Sequence, residues 1–117
     1  MRAEVRYFEW PDIEREDTDT SNVQSTLLVF AAGPIDGPGE ETFQATVCTP
    51  TALAEMVERD GVVIGRHLIL VSSVDKAKVE TIVRDRLRRL DADNWPGLAG
   101  KIGRIGLWEF EDYTPAP

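Results

Sequence analysis

The chain is poor in the groups from which small active sites are commonly built. It has one cysteine, Cys48, and one histidine, His67. A single cysteine excludes an intramolecular disulfide and fits a reducing compartment. A single histidine excludes a metal centre built on several imidazoles. No apolar run approaches the roughly 20 residues that a membrane span needs. Met1 to Trp10 is charged and alternating, without an apolar signal core, so a cytoplasmic protein is expected. Basic residues are also scarce: 13 Lys and Arg stand against 21 Asp and Glu, for a net charge of −8. This balance argues against general affinity for nucleic acid or an anionic membrane, since both require a basic footprint. It suits a basic protein partner reached by electrostatic steering, and it equally suits a merely soluble acidic domain.

The 117 residues are 42% hydrophobic and 29% charged, which fits one globular domain over residues 1–117. Ala3, Val5 and Tyr7 alternate as in a half-buried strand. Phe8 and Trp10 fall on the opposite parity, which predicts a bulge or a change of neighbours there. Asp12 to Asn22 is polar and acid-rich, an exposed loop with Ile13 as its anchor. Val23 to Ala32 is apolar on both parities, as in a central strand covered on both faces. After the turn chemistry of Pro34 to Gly39, Thr42 to Cys48 alternates with Phe43, Ala45 and Val47 inward, predicting an antiparallel hairpin.

Thr49 and Pro50 then open a helix with the stripe Leu53, Met56 and Val57, and Gly61 stops it. Val62 to Val71 reads as a buried strand containing His67. Asp75 caps the longest helix, Lys76 to Leu90, with Val79, Ile82, Val83, Leu87 and Leu90 at helical spacing. A short helix is expected on Leu98, Ala99 and Ile102, and a last extended segment on Leu107 to Tyr113, with a frayed tail from Thr114 to Pro117. The order β-β-β-α-β-α-α-β predicts an α+β fold: a mainly antiparallel sheet of about five strands, with two longer helices and one short helix packed on it.

Chemistry is thinly represented. Cys48 and His67 could form a nucleophile–base pair only if the fold brings them together. Gly97-Leu98-Ala99-Gly100-Lys101-Ile102 lacks the spacer and hydroxyl of a phosphate loop. Arg84, Arg86, Arg88 and Arg89 complement the dipole at the end of the long helix, and the Arg86 stem is expected along the core. Asp12 to Asp19 lacks the spacing of a calcium loop. Neither a metal nor a cofactor is expected. What remains is Trp108-Glu109-Phe110-Glu111-Asp112-Tyr113. As a strand it would turn Trp108 and Phe110 to the core and Glu109, Glu111 and Tyr113 outward. That edge is either a plain solvated face or a contact surface for a partner's basic residues.

Four stretches, "RAEVRYFEWPD", "ETFQATVCTPTAL", "RHLILV" and "NWPGLAGKIGRIGLWEFEDY", together resemble the immunity protein 8 family of bacterial polymorphic-toxin systems. The resemblance covers nearly the whole chain, and the last stretch is the most specific. It implies a non-catalytic antidote that binds and neutralises a cognate secreted toxin domain inside the cell. It does not identify the toxin; acidity would suit a basic nuclease domain. The candidate toxin-binding residues are Glu109, Glu111 and Tyr113, with Asp12, Glu14, Glu16, Asp17 and Asp19, provided that the two acidic ends lie close together. The alternative is a small cytoplasmic enzyme or ligand-binding domain using Cys48, His67 and nearby carboxylates. The oligomeric state is left open.

Overall fold

The computed structural model describes residues 1–13 and 19–112. The elements are β1 (Ala3–Glu9), β2 (Ser25–Pro34), β3 (Glu41–Cys48), α1 (Pro50–Asp60), β4 (Leu68–Leu70), α2 (Lys76–Arg88), α3 (Trp95–Ile102) and β5 (Leu107–Trp108). β1, β2 and β3 form an antiparallel meander. The free edge of β3 is shared end to end. β5 pairs antiparallel with Phe43 and Gln44, and β4 pairs parallel with Thr46 to Cys48. The architecture is α+β, with five strands and three helices among the described residues.

The expected bulge falls between Val5 and Tyr7. It moves Phe8 opposite Phe30, onto the face that carries Val5, and leaves Tyr7 exposed. The bulged residue, Arg6, donates from its guanidinium to the carbonyls of Pro34 (2.8 Å) and Gly37 (2.7 Å), tying the β2–β3 turn to the first strand.

The core lies on one face of the sheet. Leu28, Phe30, Phe43 and Val47 are fully buried against Val79, Val83 and Leu87 of α2 and Leu98, Ala99 and Ile102 of α3. At its centre the rings of Phe30 and Phe43 stack at 5.3 Å and 12°. Gly106 passes directly over this stack. A Cβ there would lie 2.9 Å from Phe30 Cε1 and 3.1 Å from Phe43 Cβ, so only glycine lets the chain approach closely enough to pair β5 with β3.

Local expectations are refined in three places. β2 is sealed on its core face, and on its other parity Ala31 is fully buried while Leu27 and Val29 are half-buried. The apolar run after Gly61 is not one buried strand. Val62 and Ile64 are 78% and 85% exposed, and His67 at φ 63° breaks the extended path, leaving a strand of three residues. In α2, Ile82 is exposed, and Arg84, not Arg86, leans on the core, its guanidinium 4.9 Å from the Phe8 ring centre. The helix caps follow the residue types: Thr49, Asp75 and Asn94 each accept a backbone N–H from the first turn.

Candidate functional site

Cys48 and His67 sit at opposite ends of the β3–β4 pairing. Thr46 N–H donates to the His67 carbonyl, whereas the Cys48 carbonyl accepts from Val71 N–H. His67 Nε2–H donates to the Gly103 carbonyl at 2.7 Å, tying the loop before β4 to the end of α3. Cys48 is fully buried, and burial pushes its thiol pKa up, away from the reactive thiolate. Among the described residues, no group of three or more His, Cys, Asp or Glu side chains is placed to hold a metal ion.

The acidic candidates separate into two places. Asp12 is exposed in the turn after β1. Asp19 is exposed, and its Oδ1 accepts from Ser21 N–H at 2.9 Å. Backbone and side-chain hydrogen bonds from Ser21 hold the Asp19 carboxyl below the ordinary aspartate value. Glu14, Glu16, Asp17 and Tyr113 lie outside the described residues. Asp19 is close in sequence to Gln24, whose carbonyl accepts from Thr49 N–H just past the far end of β3. Glu109 is instead at the start of β3, exchanging hydrogen bonds with Thr42: its N–H donates to the Thr42 carbonyl (3.1 Å), and its Oε1 accepts from Thr42 N–H (2.8 Å). Of the described candidates, Asp19 therefore lies toward one end of β3 and Glu109 at the other.

The alternation expected through Tyr113 also stops early. Strand pairing ends at Trp108, Glu111 N–H turns back to the Trp108 carbonyl at 2.9 Å, and Asp112 takes φ 58°. Phe110 is 39% exposed and so is not docked inward, and Glu111 is not a free outward carboxylate. Its two oxygens accept a fork from Arg66, at 2.7 and 2.5 Å. Trp108 does pack against the core, half-buried.

The turn creates something that parity did not suggest. Glu41, Phe43 and Trp108 share the helix-bearing face, and α3 begins beside them with Trp95. The indole N–H groups of Trp95 and Trp108 both donate to Glu41 Oε1, the second at 3.2 Å. Around this carboxylate lies an open groove of 470 Å³ lined by Glu41, Trp95, Pro96, Trp108, Phe110 and Asp112. Trp108 and Phe110 meet edge to face, with centroids 6.0 Å apart. Trp108, Phe110 and Asp112 belong to the stretch singled out in the sequence. Glu41 and Trp95 were missed, because they join it only through the pairing of β5 with β3.

The polar groups of the groove are selective. Both indole donors are already used on Glu41. Glu41 and Asp112 contribute acceptors, and Pro96 has no N–H to offer. The groove thus combines aromatic surface with negative charge and hydrogen-bond acceptors, a composition suited to contact with another protein. The family model described as immunity protein 8 matches residues 3–113.

The chain belongs to the immunity protein 8 family. The match spans both acidic segments, the buried sheet and the groove, so every feature described above falls within the immunity protein 8 domain. Comparison with curated proteins and with solved structures finds no match. Among the described residues, no helix of this immunity protein is long and apolar enough to cross a membrane.

Proposed function

We propose that this immunity protein neutralises a cognate toxin domain by binding and covering it in the cytoplasm, without chemistry of its own. The observation that carries the reading is the family match over residues 3–113. The net charge of −8 supports a toxin with a basic face, such as a nuclease domain whose active surface attracts phosphate. Contact centres on Glu109, Glu111 and Tyr113, together with the aromatic groove. Asp12, Glu14, Glu16, Asp17 and Asp19 act by steering the encounter.

The test is co-expression with the toxin domain encoded beside the gene. Growth should be rescued, and the two chains should co-purify at equal stoichiometry. Rescue by far less immunity protein than toxin, with no stable complex, would overturn the binding mode and indicate catalysis. Absence of rescue by the well-folded protein would overturn the pairing itself.

A further inference from the structure

We propose that the groove of Glu41, Trp95, Trp108, Phe110 and Asp112 is a socket for one arginine side chain of a protein partner. This deepens the toxin-binding reading and rests on it for the identity of the partner. The inference comes from what the groove offers. Its side-chain donors are used up within the site, since both indole N–H groups point to Glu41 Oε1. Two carboxylates are left to receive donors. A guanidinium is the matching group: it has five N–H donors and no acceptor. Its flat, weakly hydrated face stacks on aromatic rings, which the groove supplies from Trp95, Trp108 and Phe110.

The alternatives fit less well. An ammonium matches the charge but neither stacks nor forks onto a carboxylate. A nucleic-acid base would bring phosphates toward two carboxylates in a chain of net charge −8. The two indoles also hold Glu41 in place before any partner arrives, so little side-chain entropy remains to be lost on binding. Two half-buried tryptophans around a charged pair match the usual make-up of a binding hot spot, where tryptophan and arginine predominate.

The experiment uses the whole chain labelled with ¹⁵N and follows the three indole N–H signals. Trp95 and Trp108 report the socket. Trp10, whose indole donates to Glu80 at 3.1 Å, is the internal reference. The probes are the N-acetyl methylamides of arginine, lysine and citrulline. Arginine should shift the Trp95 and Trp108 signals with saturation in the millimolar range and leave Trp10 still. Lysine should bind more weakly, and citrulline, isosteric but uncharged, should have no effect. Glu41→Gln keeps the acceptor for both indoles and removes the charge. Asp112→Asn keeps a residue tolerant of its positive φ. Each should weaken the arginine response, the Glu41 variant by about tenfold. Equal shifts from citrulline, no shift from arginine, or full response in the Glu41→Gln variant would overturn the socket.

A second arm measures the off-rate from the neighbouring toxin domain. The double variant should release it about tenfold faster. Toxin binding with an unchanged off-rate overturns the socket and leaves toxin binding standing. If wild-type protein does not bind the toxin, the toxin-binding reading fails, and the arginine titration still decides the socket by itself.

Discussion

Replacing Gly106 with alanine should destabilise the domain, whereas the same replacement at Gly100, six residues earlier, should not. Neither glycine has a positive φ, so alanine is not strained by its backbone at either site. The difference lies in the surroundings. A Cβ at Gly100 meets nothing within 4 Å, and the position lies inside α3. There alanine should stabilise by about 0.5–1 kcal/mol, through helix propensity and lower unfolded-chain entropy. At Gly106 the Cβ would sit 2.9 and 3.2 Å from two atoms of the Phe30 ring. Carbon atoms prefer about 3.5–4.0 Å. Phe30 is fully buried and stacked on Phe43, so it has no free space to retreat into, and β5 must lift instead. Overpacking of this kind costs about 1–3 kcal/mol. At about 4 °C per kcal/mol for a domain of this size, Gly106→Ala should melt several degrees below Gly100→Ala. Thermal denaturation followed by circular dichroism measures both. The Trp108 indole signal should also move in Gly106→Ala, because β5 carries that ring to Glu41. If the two variants melt together, the aromatic stack yields freely, and the claim that β5 needs a glycine to reach β3 is wrong.

The Arg66–Glu111 fork joins a 55% exposed side chain to a 19% exposed one. A double-mutant cycle with Arg66→Ala and Glu111→Gln should give a coupling of about 0.5–1 kcal/mol that shrinks in high salt; a coupling of zero would remove the fork as a brace for the C-terminal turn. Cys48 should resist alkylation in the folded protein at mildly alkaline pH and react only in denaturant, read by intact mass; rapid native labelling would contradict its burial. The carboxyls of Asp19 and Asp60 are held below the ordinary 3.8, by Ser21 and Arg59 hydrogen bonds respectively. Folded pKa values below unfolded ones mean that their small stabilising contributions are complete above that value and are lost as the pH falls below it; carboxyl-detected NMR titration should find both midpoints depressed. Reversing Asp12 and Asp19 to lysine should lower the on-rate for the neighbouring toxin and flatten its salt dependence, with little change in off-rate; stopped-flow binding at several ionic strengths checks this, and unchanged on-rates would remove the loop from steering.

The fold was legible in the sequence wherever one local period dominated. Alternation in residues 42–48 and the spacing of Val79, Val83 and Leu87 named the elements and their buried faces, because a residue's direction along a strand or helix depends only on its neighbours in the chain. The parity change at Phe8 signalled a bulge or a change of neighbours in β1; the bulge falls earlier, between Val5 and Tyr7, and so leaves Tyr7 exposed rather than inward. The resemblance to the immunity protein 8 family was likewise carried by contiguous stretches. Where periodicity was weak, local reading failed. Val62 and Ile64 have the composition of a core strand, yet the edge of β3 that could pair with them is already divided between β4 and β5. The run Trp108 to Asp112 alternates, but β3 offers it little further pairing, and the chain turns at Glu109.

The candidate site belonged almost wholly to the tertiary level. Asp19 and Glu109 are both exposed-looking acids in the sequence, and only strand order decides that the length of β3 lies between the segments that carry them. Glu41 is 54 residues from Trp95 and 67 from Trp108. No pattern in the chain links them. Trp108 reaches Glu41 because Gly106 lets β5 pass over the Phe30–Phe43 stack and pair with β3, and Trp95 reaches it because α3 packs on the same face of the sheet. Side-chain direction is set locally, but which side chains meet depends on which strands pair, and strand pairing is a property of the packed core as a whole.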